Sequence, residues 1–106
     1  MFMPILSWLG FGNGNIKDAL LRGALIIDVR SPGEFDIGRI PDSINIPVDR
    51  IPINSKRILA MKHPVIFCCN SGHRSRQAVQ MMKDRGMKEV YFGGNWETLL
   101  KTVNKL

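Results

Sequence analysis

The stretch that decides the fold is Pro64-Val65-Ile66-Phe67-Cys68, followed at once by Cys69-Asn70-Ser71-Gly72-His73-Arg74 and then by Ser75 to Arg85. Its first five residues form a short, continuous apolar run, the pattern of a strand buried on both faces of a parallel sheet. Its last part carries Ala78, Val79, Met81 and Met82 at helical spacing and stops at Gly86. A strand, a tight polar loop and a helix in that order predict an α/β unit with the loop at the carboxyl end of the strand. Ligands of open parallel sheets bind there, next to helix N-termini rich in unpaired N–H groups.

Working outward, the same grammar repeats. Ala24-Leu25-Ile26-Ile27-Asp28-Val29 reads as another buried strand, preceded by a short helix over Ile16 to Arg22 that Asn15 caps and Gly23 stops. Ser31-Pro32-Gly33-Glu34 has the form of a capping box with proline at the first helical position, so a helical turn through Phe35 follows. Ser43 to Pro47 alternates polar and apolar residues as a short strand, and Asp49 to Met61, interrupted by Pro52, predicts one short helix in its second half. Glu89 to Phe92 reads as a strand, Gly93-Gly94 as a turn, and Asn95 as the cap of a last helix through Leu99, Leu100 and Val103. Alternating strands and helices imply an α/β domain with a central, mainly parallel sheet of about five short strands flanked by helices. Residues 1–15 are expected as an apolar N-terminal arm and residues 16–106 as one domain.

Composition bounds the function. A chain of 106 residues with 44% hydrophobic and 23% charged residues is the size and make-up of one globular domain. The net charge of +6 favours anionic ligands, but its 15 Lys and Arg are scattered, and neither an aromatic-rich basic motif nor zinc-ligand spacing occurs, so nucleic acid and metal are not expected. Met1 to Gly12 is apolar but too short to span a bilayer and is not preceded by a basic residue. Two adjacent cysteines make no disulfide scaffold, which points to a reducing, cytoplasmic setting.

The chemistry gathers at Cys69. Asn70, Ser71 and Gly72 are small or turn-forming, so the backbone there is able to curl into a nest of N–H donors, while Arg74 and His73 bring positive charge. Such a cradle favours the thiolate of a nucleophile. The bland reading, a buried apolar cysteine, accounts for Cys68 inside the strand but not for the glycine and arginine after Cys69. Phosphoryl transfer through a phosphocysteine and sulfur transfer through a persulfide would both use this cradle. Only residues 70–73 separate Cys69 from Arg74. A loop that short suits one added sulfur better than a tetrahedral phosphate.

Taken together, Leu25 to Arg30, Glu34-Phe35, Gly38-Arg39-Ile40, Ser43 to Pro47, the Cys69 to Ser75 loop and Gly93-Gly94 resemble the rhodanese family in order and spacing. The resemblance implies a sulfurtransferase in which Cys69 takes sulfur from a small anionic donor such as thiosulfate. Cyanide or a thiol would then accept it, a thioredoxin-like protein being one candidate, with no cofactor. By the same resemblance Arg74 orients the donor, and the loop residues Asn70, Ser71, Gly72, His73 and Ser75 hold the persulfide. Asp28, Arg30 and Glu34 would form an ion network behind the loop. The sequence departs from the family in carrying Arg39 where many relatives have histidine, and Trp96 two positions before the usual tryptophan. A second rhodanese domain is not expected, which would leave the cleft open on one side. The competing readings are a non-catalytic rhodanese-like binding module and a relative of the phosphatases or arsenate reductases.

Overall fold

The computed structural model of the protein describes residues 13–106. Most of the expected apolar arm therefore lies outside the described residues. Helix α1 (Asn13–Leu21) leads into β1 (Leu25–Asp28), α2 (Pro32–Ile37), β2 (Ile44–Asn45) and a 3-10 turn at Val48–Arg50. Then come α3 (Ile51–Leu59), β3 (Val65–Cys69), α4 (His73–Asp84), β4 (Val90–Asn95) and α5 (Trp96–Asn104). The described strands form one sheet in the order β2-β1-β3-β4, parallel throughout, so the expected fold class holds with four strands rather than about five.

The central strands β1 and β3 are buried because helices cover both faces of the sheet. On one face Ile27, Val65, Phe67 and Cys69 pack with Ile51 and Ile58 of α3 and Ala78, Val79 and Met82 of α4. On the other, Ile26, Ile66 and Cys68 pack with Ile16 and Ala19 of α1 and Leu99 of α5. The period-two alternation of β3 thus sends the two adjacent cysteines to opposite layers.

Several expected boundaries move, each for a local reason. Helix α1 begins at Asn13, so Asn15 lies inside it rather than capping it. Pro52 occupies the first turn of α3, where its missing N–H costs nothing, and the helix therefore opens at Ile51 instead of waiting until after the proline. Gly93-Gly94 makes no turn. Both belong to β4, where Phe67 pairs with Phe92 and Cys68 with Gly94, leaving Gly93 as the extra residue of a bulge. A Cβ on Gly93 would sit 2.7 Å from Ile66 Cγ2 and 2.8 Å from the Phe67 carbonyl oxygen. Cys69, expected in the loop, is the last residue of β3 because the bulged ladder continues to its pairing with Asn95.

The order β2-β1-β3-β4 reverses direction between β1 and β3. Ligands of open α/β sheets bind beyond the carboxyl ends of the strands at such a switch point, and Cys69 ends one of these two strands.

Candidate active site

The loop after β3 is only residues 70–72, because α4 starts at His73 rather than at the expected Ser75. Gly72 makes so sharp an entry possible. It sits at φ 92°, a left-handed conformation that residues with a Cβ rarely adopt, and it serves as the helix N-cap without a side chain. The chain thereby turns back over Cys69.

The sulfur is the centre of this turn. Gly72 N–H donates to Cys69 Sγ at 3.0 Å and Ser75 N–H at 3.3 Å. The thiol donates to Ser75 Oγ at 3.3 Å, and Ser75 Oγ in turn donates to the Gly72 carbonyl at 3.1 Å. Cys69 and Ser75 have no exposed surface, so the contacts replace water for every polar atom they involve. Sγ is thus closed off from solvent in this arrangement. Cys68 differs: burial first, and Asp28 next, push its thiol strongly up, which keeps it protonated in the opposite core layer.

Two ion pairs stand behind the loop. Arg30 forks onto Asp28, with Nε at 2.9 Å from Oδ1 and the second terminal nitrogen at 2.7 Å from Oδ2, both side chains being almost wholly buried. Arg30 also donates to the Gly38 carbonyl at 2.6 Å and lies 4.7 Å from the centre of the Trp96 ring. Among the described residues, no buried side-chain polar atom in the domain lacks a hydrogen-bond partner, so this charge is sunk without an orphan. The second pair is Arg74 with Glu34, bidentate at 2.7 and 3.1 Å. Glu34 also accepts from Asn70 Nδ2 at 2.8 Å, and from Ser31 N–H at 2.9 Å in a complete capping box. The Arg74 hydrogen bonds foremost, then the Ser31 N–H, lower the Glu34 carboxyl from 4.5 to about 2.

The expected single network of Asp28, Arg30 and Glu34 is thus two pairs. Only the Glu34 backbone carbonyl, 3.4 Å from Arg30, connects them. Arg74, expected to orient a donor, directs its two terminal nitrogens at Glu34. His73 is exposed, and its N–H reaches Ser71 Oγ at 3.5 Å.

Sequence reasoning read Asn95 as the cap of α5 but missed what Asn95, Asn45 and Trp96 contribute to the site. Asn95 caps α5 through Oδ1, which accepts from Thr98 N–H at 3.0 Å, and with Nδ2 it also holds the Asn70 carbonyl at 2.6 Å. Asn45 Nδ2 donates to the Asp28 and Arg30 carbonyls at 3.0 and 2.9 Å, fixing the end of β1. Trp96 covers Arg30. The cap of α5 is readable from a local pattern; the other contacts join residues far apart in sequence.

An α/β domain that wraps backbone N–H groups around a cysteine sulfur at its switch point defines a class of protein with an anion-favouring cradle for a thiol. Comparison with known proteins narrows the class: the Rhodanese-like domain family matches residues 13–94, and the chain belongs to that family. A sulfurtransferase of Allochromatium vinosum is 38% identical over 66 residues, covering 62% of this chain and 61% of its own length. A thiosulfate sulfurtransferase, GlpE, of Stutzerimonas stutzeri is 33% identical over 69 residues, covering 65% of this chain and 62% of its own. The match to the adenylyltransferase and sulfurtransferase MOCS3 of Drosophila ananassae, 36% over 67 residues, covers 58% of this chain and 15% of that protein. The chain therefore spans less than two thirds of the length of these relatives. Among solved structures, a rhodanese with anions from E. coli superposes with a TM-score of 0.65 at 26% identity, covering 71% of this chain and 89% of the other. No helix among the described residues is long and apolar enough to cross a membrane.

Proposed function

We propose that the protein is a thiosulfate-type sulfurtransferase that carries sulfur on Cys69. The observation that carries this reading is the position of Sγ between the N–H groups of Gly72 and Ser75, in a turn of only three residues. Each hydrogen bond to an anionic acceptor is worth about 1.5–3 kcal/mol, so the turn favours negative charge on a sulfur held there. The names of its relatives, sulfurtransferase and thiosulfate sulfurtransferase, support the same chemistry.

The cycle is a double displacement. The Cys69 thiolate attacks the outer sulfur of thiosulfate; an Sγ–S bond forms, the bond to the sulfonate sulfur breaks, and its electron pair leaves with sulfite. Cyanide or a thiolate then attacks the outer persulfide sulfur, taking it as thiocyanate or a new persulfide and returning the Cys69 thiolate. Charge is conserved in both halves, and neither needs an oxidant or a metal. Ser75 Oγ, which accepts a hydrogen bond from the thiol in the resting site, turns its own hydrogen from the Gly72 carbonyl to the sulfur once the thiolate forms. Arg74 acts through Glu34 as the brace that keeps the turn closed.

Mass measurement after incubation with thiosulfate should show the gain of one sulfur atom, lost on adding a thiol. Cys69→Ser should gain nothing and make no thiocyanate, and Cys68→Ala should do both. A Cys69→Ser protein that still turns over thiosulfate, or a wild type that instead hydrolyses p-nitrophenyl phosphate or reduces arsenate efficiently, overturns the proposal.

A further inference from the structure

The charge around the turn leaves one question for a dianionic donor: which cation meets its sulfonate end. Arg30 is buried and forked onto Asp28, and Arg74 is forked onto Glu34, so each is neutralised by a carboxylate already in place. Arg39 is held 4.9 Å from the centre of the Phe35 ring. Arg76 is likewise stacked on a ring, but its ring is Phe92, which abuts the turn. Arg76 is exposed, and among the described residues its guanidinium makes no ion pair and no side-chain hydrogen bond.

Arg76 is nevertheless fixed in place. Its guanidinium carbon lies 4.5 Å from the centre of the Phe92 ring. That ring in turn abuts the turn, since a Cβ on Gly72 would lie 3.2 Å from Phe92 Cζ. Gly72 is the residue whose N–H holds Cys69 Sγ at 3.0 Å. A cation, a ring and the loop glycine therefore stand in contact in that order, ending at the sulfur. Stacking occupies the face of a guanidinium and leaves its five in-plane N–H donors unused. Beside Arg76 an open depression of about 370 Å³ is lined by His73, Gln77 and Gln80, with no carboxylate among them.

We infer that Arg76, stacked on Phe92 at the rim of the turn, is the residue that recognises the sulfonate end of the sulfur donor and sets a preference for dianionic over monoanionic donors. The inference rests on the sulfurtransferase reading. With the outer sulfur directed at Sγ, the three sulfonate oxygens remain outside the turn, where a guanidinium edge engages two of them as a fork. Arg76 contacts the donor and takes no part in bond making, so it acts on binding rather than on the chemical step.

The test compares two donors in thiocyanate production by the full chain: thiosulfate, and methanethiosulfonate, in which a methyl group replaces one anionic oxygen and the leaving group is a sulfinate. Arg76→Ala should raise KM for thiosulfate about tenfold, the loss of one charge-assisted contact, with kcat within about twofold of wild type. KM for methanethiosulfonate should rise clearly less, and Arg76→Lys should recover much of the thiosulfate affinity. At saturating thiosulfate, Arg76→Ala should still gain one sulfur by mass. An unchanged thiosulfate KM, an equal effect on both donors, or a fall in kcat at constant KM overturns the assignment of Arg76 and leaves the persulfide chemistry standing. A wild type that gains no sulfur from thiosulfate removes the sulfurtransferase reading itself, and the role of Arg76 with it.

Discussion

Glu34 does two jobs with one carboxylate. It closes the capping box of α2 on Ser31, and it grips Arg74 at the start of α4 and Asn70 in the loop. Because its folded carboxyl is lowered from 4.5 to about 2, the stability it contributes is fully present above about pH 4.5 and is lost as the pH falls toward 2. Thermal unfolding of wild type and Glu34→Gln should therefore differ by a constant amount at neutral pH, under about 1 kcal/mol for a pair this exposed, and the two curves should converge between pH 4.5 and 2. A gap that persists at pH 2 would mean that the side chain acts through packing and not through charge. The first job was legible in the sequence, since Ser31 and Glu34 stand at capping-box spacing. The second was not, because no local pattern announces a partner 40 residues away. The same divide separates Cys68 from Cys69: strand alternation assigns them to opposite layers, while the N–H donors on Sγ depend on the left-handed Gly72, whose glycine was visible but whose φ was not.

At the level of elements, β4 shows what local reading misses. Two adjacent glycines carry the chemistry of a turn, yet a bulge is a property of two strands, and its cause lies in β3, where Ile66 and the Phe67 carbonyl crowd the position that Gly93 fills. Gly93→Ala should destabilise the domain by about 2 kcal/mol through this overlap, read as a lower midpoint in denaturant at an unchanged slope. A neutral substitution would show that the bulge relaxes freely. The bulge lets Asn95 pair with Cys69 while its side chain caps α5 and holds the loop at Asn70. Strand and helix identities were readable from continuous apolar runs and caps. Pro52 was misread because a proline that breaks a helix in its middle is a good residue in its first turn.

At the level of the whole molecule, the alternation of elements announced a parallel α/β sheet, whereas the order β2-β1-β3-β4 comes from packing that no single segment encodes. One feature of that packing reaches beyond the resting structure. The three-residue turn around Cys69 is held by Glu34 from 36 and 40 residues upstream and by Asn95 from 25 residues downstream. Contacts of such sequence separation form late, after the loops between them have closed. In refolding from denaturant, the helical signal should therefore return before the capacity to take up sulfur, and a simultaneous return would indicate that the turn closes on its own. A nascent chain released before β4 has no Asn95 to tether Asn70. Its thiol would be a bare cysteine, open to any oxidant, until the last strand and helix arrive.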